Sequence, residues 1–189
     1  MKNEITGMRL RLIVMNFLQF AVWGAYLTSM GTYLFNIGLG AKIGLFYAMQ
    51  GIVSLFMPAI MGIIADRWVP AQNYMVSVIL CCRVYGAAGW YGYVDGEAVN
   101  FGTLFTFYSL SVAFYMPTLA LTNSVAYTAL DKVKLDPDHR FSSHPYFGTI
   151  GFICSMLLTD ILGFQNNYMQ FFSCALLWSD TGGLCAYFA

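Results

Sequence analysis

Apolar residues run along this chain in long blocks, separated by short polar or glycine-bearing connections. Each block is long enough for a helix that crosses a bilayer, and none alternates with the period of two that a barrel strand requires. The pattern predicts six transmembrane helices, over about residues 8–35, 43–65, 73–94, 101–130, 146–163 and 168–188. The connections are a turn at 36–42 holding Gly38 and Gly40, a short loop through Pro70, an acidic loop at 95–100, a polar stretch at 131–144 and a turn at 165–167.

Polar residues inside the blocks fall on helical faces. In the first span Asn16, Gln19, Trp23, Tyr26 and Met30 recur every three or four residues, beside small residues Ala21, Gly24, Ala25, Thr28 and Thr32 suited to close helix contact. That stripe reads equally as interhelical hydrogen bonding and as a ligand-facing surface. The second span contains Pro58, where a kink is expected, and ends in Asp66 and Arg67, candidates for an ion-pair latch at the membrane edge. Arg83 falls near the middle of the third span. A mid-span arginine is costly, so it should snorkel, pair with an acid or face water; a structural ion pair is favoured, with Asp160 and Asp180 as possible partners between which the sequence does not choose.

The fourth span carries Tyr108, Ser111, Tyr115, Thr118 and Thr122 at the same spacing, with Pro117 as a second kink and Asn123 and Tyr127 near its end. In the fifth, Thr149, Phe152, Met156 and Thr159 or Asp160 share a face that should look into the protein or a cavity rather than at hydrocarbon. The sixth is interrupted in pattern by Ser179, Asp180, Thr181, Gly182 and Gly183.

Composition agrees with a membrane solvent. The 189 residues are 59% hydrophobic and 10% charged, against about 25% charged in an ordinary soluble domain. A zero formal net charge gives no case for nucleic acid. The basic residues Lys2, Arg9, Arg11, Arg67, Lys132, Lys134 and Arg140 fall on one side of the predicted spans and Lys42 on the other, which places both termini in the cytoplasm. The basic, then apolar N-terminus mimics a secretory leader, but its apolar run is too long and reads as the first span. The five cysteines sit in apolar runs and read as buried free thiols. His139 and His144 lack a third ligand, so neither a metal nor a cofactor is expected. The chain shows no nucleophile–base pair and no phosphate loop, so it is not expected to be an enzyme.

Four strings carry a resemblance. Residues 17–34 (FLQFAVWGAYLTSMGTYL), 56–68 (FMPAIMGIIADRW), 115–123 (YMPTLALTN) and 148–152 (GTIGF) resemble, in that order, segments of the nucleoside:proton symporter (nucleoside permease) family. That family belongs to the major facilitator superfamily, and Gly62 followed by Asp66 and Arg67 also resembles the superfamily signature after the second helix. The resemblance implies an all-α polytopic fold, the 3+3 repeat half of a major facilitator bundle. It also implies nucleoside import with protons across the bacterial inner membrane by alternating access, as the N-terminal half of a twelve-helix carrier. Thr149 and Phe152 match a threonine and a phenylalanine that the family's fifth helix offers to the nucleoside, while the family's arginine position is Pro145 and its tryptophan position is Phe147.

Gln19, Trp23, Tyr115 and Asn123 are of the chemical types that would complete such a site, since rings stack on a base and hydroxyls and amides satisfy a ribose. A proton-coupled carrier needs a titratable group, for which Asp160 is the candidate. The implied partners are nucleoside, protons, lipid, and either a C-terminal six-helix half or a second copy of the chain. The alternative reading is a truncated, degenerate or redesigned half that folds in the membrane without transporting.

Overall fold

The computed structural model describes residues 2–68, 99–132 and 144–186, with positions 84, 86, 87 and 90 between them. Among the described residues the elements are all helical. They are α1 (Lys2–Leu27), α2 (Ser29–Asn36), α3 (Ile43–Trp68), α4 (Phe101–Lys132), α5 (His144–Ile161) and α6 (Met169–Ala186), with 3₁₀ turns at Gly40–Lys42 and Phe164–Asn166. Three stretches, Leu10–Asn36, Gly40–Ile60 and Phe101–Ala120, are long and apolar enough to cross a membrane, and Tyr146–Ile161 is a shorter apolar helix. The expected third span at 73–94, with Arg83, lies outside the described residues save four helical positions. The polar connection at 133–143, including Lys134, His139 and Arg140, lies outside them as well.

α1 occupies the middle of the arrangement. It packs along α5 on one side and α6 on another, while α3 packs on α4. Both predicted polar stripes turn inward: Gln19, Tyr26 and Met30 of the first span are buried, as are Tyr108, Ser111, Tyr115, Thr118 and Thr122 of the fourth. Their rings join a core of edge-on contacts. Tyr26 meets Tyr115 at 6.0 Å and Tyr108 at 6.4 Å, Phe46 meets Tyr108 at 5.0 Å, Tyr115 meets Trp178 at 5.5 Å, and Tyr33 meets Phe171 at 5.6 Å. Such tilted pairs suit the ring quadrupole and fix orientation in an interior without much hydrogen bonding. The Cys174 thiol is sealed between α6 and α1, with its sulfur 3.8 Å from the Val22 carbonyl oxygen that it faces as donor. The outward sides of α3 and α5 expose Ile52, Leu55, Phe56, Ile60, Ile153, Leu157 and Leu158. An apolar exterior of that size suits lipid and not water.

Two glycines end helices in the left-handed region, which a Cβ disfavours. Gly38 has φ +80°, and there Leu39 N–H donates to Leu34 C=O at 2.8 Å and Gly38 N–H to Phe35 C=O at 3.1 Å. This is the paired bonding of a Schellman closure. Gly163, φ +70°, stops α5 at Ile161, two residues short of the expected bound.

Two elements differ from the sequence pattern. The first span is not one helix over 8–35 but two, α1 and α2, divided at Thr28. Side-chain hydroxyls crowd the division: Thr28 Oγ1 donates to Gly24 C=O at 3.3 Å, Ser29 Oγ to Ala25 C=O at 2.9 Å, and Tyr47 Oη of α3 to Leu27 C=O at 2.6 Å. Hydroxyls that take helix carbonyls loosen and bend a helix. The sixth span, by contrast, runs unbroken through 179–183 to Ala186, and Ser179 folds its hydroxyl back onto Leu176 C=O at 2.7 Å. α3 and α4 likewise continue through Pro58 and Pro117.

Candidate functional site

The fifth span carries a stripe of small residues, Gly148, Gly151, Ser155 and Thr159, alongside the face of Thr149 and Phe152. Their spacing of three and four residues is the signal of a close helix contact. All four are buried, and they form the side of α5 that meets α1. At the crossing the two backbones touch. A Cβ on Gly24 would stand 3.0 Å from the Phe152 Cα and closer still to its carbonyl oxygen. One on Gly151 would stand 3.1 Å from the Phe17 Cα and again closer to the oxygen. Gly148 is covered by the Phe20 ring and the Asn16 amide, which a Cβ would meet at 2.8 and 3.0 Å.

This crossing brings Trp23 and Phe152 together. Their ring centroids are 6.1 Å apart at 80°, and Phe20 lies 6.0 Å from Trp23 on the other side. Phe152 and Trp23 are half-buried, and Thr149, three residues before Phe152, is exposed. The Trp23 indole N–H is enclosed, with no acceptor among the described residues. An aromatic pair with an exposed hydroxyl beside it offers a flat apolar surface and a polar edge, which is what a ring-bearing, hydroxylated small molecule requires.

Gln19 and Tyr115 lie deeper. Gln19 Nε2 donates to Thr118 Oγ1 at 2.8 Å, Tyr115 Oη donates to the Gln19 carbonyl at 3.0 Å, and Thr118 Oγ1 donates to the Tyr115 carbonyl at 2.6 Å. Both residues are buried and pin α1 to α4 next to Trp23. Gln19→Leu should therefore lower the melting temperature in detergent. The expected cost is about 1 kcal/mol, because the loss of a buried partner is softened by the membrane reference state. Thermal unfolding followed by size-exclusion chromatography checks it, and an unchanged midpoint would contradict the pin.

The other predicted residues scatter. Asn123 is exposed on α4. Met156 is half-buried beside Phe152, and Thr159 is buried with its hydroxyl on Ser155 C=O at 2.8 Å. Asp160 is exposed at the far end of α5, where Gln165 Nε2 donates to its Oδ1. Asp180 is exposed on α6. The helical positions of Asp66, Arg67 and Pro145 are described but not their side chains, so the latch and the Arg83 pairing lie outside the described residues. No cluster of three metal-ligating side chains occurs among the described residues.

Comparisons with known proteins converge. A family model described as nucleoside H+ symporter matches residues 6–180. Xanthosine permease of Escherichia coli (strain K12) is 35% identical over 166 residues, covering 86% of this chain and 38% of the permease. Nucleoside permease NupG of the same strain is 35% identical over 174 residues, 90% of this chain and 40% of the permease. A crystal structure of a NupG mutant superposes with a TM-score of 0.86 at 31% identity, over 95% of this chain and 44% of that one. A second NupG crystal structure gives 0.81. The chain thus spans about two fifths of the length of the permeases it matches.

Proposed function

Because the chain belongs to the nucleoside H+ symporter family, we propose that it forms the N-terminal six-helix half of a nucleoside carrier of the bacterial inner membrane. In this reading a third span at about 73–94 completes a 3+3 repeat, and both termini are cytoplasmic, as the basic residues require. Transport proceeds by alternating access with proton symport, and a C-terminal half or a second copy closes the path. Arg83 pairs with Asp160 or Asp180, and Asp66 with Arg67, as structural ion pairs. The relatives are permeases and a transporter, not enzymes.

The observation that carries the reading is the Trp23–Phe152 pair with Thr149 exposed beside it, set on a glycine crossing that fixes their spacing. Phe152 and Trp23 take the base, and Thr149 the ribose. Asn123 adds a polar contact from α4, while Gln19 and Tyr115 hold the wall behind them. Burying a base against rings stabilises binding by roughly 1–3 kcal/mol per base, enough to retain a solute at micromolar to millimolar concentrations once the sugar is also satisfied. Asp160 is the proton-coupling candidate in this half.

Uptake of labelled uridine and adenosine into transport-deficient cells tests the proposal, with the chain expressed alone and with a matching C-terminal half. The expected result is uptake that rises as external pH falls, and Asp160→Asn should flatten that pH response. Absence of uptake in both arrangements, with the protein present in the membrane, removes the proposal in favour of a half that folds without transporting.

A further inference from the structure

The division of the first span at Thr28 has a structural cause. Thr28 itself keeps helical dihedrals, φ −79° and ψ −36°. A continuous helix would therefore bond Gly31 N–H to Leu27 C=O, four residues earlier. In its place Tyr47 Oη of α3 donates to that same carbonyl at 2.6 Å. The hydroxyl stands beside residue 31, where a Cβ would meet the oxygen at 3.5 Å, in ordinary contact. Carbonyls 24 and 25, one turn earlier, are also taken by the Thr28 and Ser29 hydroxyls. The ladder is thus weakened on the turn where Tyr47 enters it.

The two sides of the division are held by different neighbours. α1 is locked to α5 through Gly24 and Gly151. α2 is tied to the opposite end of α5 and to α6. Asn36 Nδ2 donates to Asn166 Oδ1 at 3.0 Å, and Tyr33 packs edge-on against Phe171 at 5.6 Å. The division at Thr28 therefore lies between these two anchored parts.

We infer that the Tyr47 hydroxyl is a removable wedge in the first span: bound to Leu27 C=O it keeps the ladder divided at Thr28, and withdrawn it lets the helix close into one piece. No dihedral change at Thr28 is needed for closure, since that residue already lies in the helical well. The inference stands on backbone geometry and does not depend on what the chain transports.

Amide hydrogen exchange at residue 31, read by nuclear magnetic resonance on the full chain labelled with ¹⁵N-glycine in lipid nanodiscs, tests it. Tyr47→Phe keeps the ring and deletes the wedge. The expected result is about fivefold greater protection at Gly31, the factor that one net hydrogen bond supplies, because the ladder bond to Leu27 C=O can then form. Unchanged or reduced protection overturns the inference, since the hydroxyl would then only fill a break that the backbone makes for itself. Gly31→Ile, with ¹⁵N-isoleucine labelling, serves if Tyr47→Phe does not accumulate. Its branches occupy the place of the hydroxyl, and the amide at 31 should again become more protected than Gly31 in the unaltered chain. The opposite result counts against the wedge in the same way.

Discussion

Gly24→Val should melt far below the unaltered chain. The Cβ alone would press on the Phe152 backbone, 3.0 Å from its Cα and carbonyl carbon and nearer to its oxygen. Valine adds two methyl groups beyond that. Inserting methylenes into a packed interior costs about 1–3 kcal/mol where side chains can yield. Here the obstacle is main chain of a second helix, so the cost lies at or above the top of that range. Against a total stability of about 5–15 kcal/mol that is a large share. Gly151→Val should behave alike, because its Cβ meets the Phe17 backbone in the same manner. Gly44→Val is the control: that position opens onto space, and its variant should melt within about 1 kcal/mol of the original, the scale of a helix-propensity difference. Melting midpoints by size-exclusion chromatography in detergent decide the matter. If all three variants melt together, the helices do not touch at these glycines.

Phe152→Ala should reduce apparent affinity for nucleoside by about tenfold with the protein still present in the membrane, the equivalent of about 1.4 kcal/mol of base stacking. Phe152→Trp should keep most of the uptake, because a larger ring also offers a stacking face. The edge contact with Trp23 at 6.1 Å links the two rings, so Phe152→Ala and Trp23→Ala should cost less together than the sum of their separate effects. Initial uptake rates over a range of uridine concentrations separate KM from maximal rate. A KM that does not move in Phe152→Ala would show that the ring only packs helices.

Much of this arrangement can be read from spacing alone. The stripes Asn16–Met30 and Tyr108–Thr122 have helical period and a polarity unsuited to lipid, so their burial against one another follows from the cost of the alternative. The resemblance at 148–152 likewise marked the start of α5, beside Trp23. The finer placements depend on partners that no single helix reveals. Gln19 is chemically able to meet a sugar, yet its amide is taken by Thr118, ninety-nine positions along the chain. Helix-start and helix-stop signals gave no notice of the division at Thr28, because its agent is Tyr47, a residue of the next helix whose hydroxyl is ordinary in isolation. Pattern over-weighted Ser179 and the glycines after it. A serine can return its hydroxyl to its own helix, and nothing then breaks. The Gly148–Gly151 contact has a legible signal, a stripe of small residues, set beside the more conspicuous Thr149 and Phe152 of the adjoining face.

The thiol enclosed against Val22 makes α6 a ready-made gauge of integrity. Cys154 stands exposed on α5 while Cys174 is fully covered between α6 and α1. With every other cysteine replaced, a maleimide dye would find Cys174 only when those two helices part. The rate at which colour develops would then time the opening of the bundle from within, without any probe attached to the native surface.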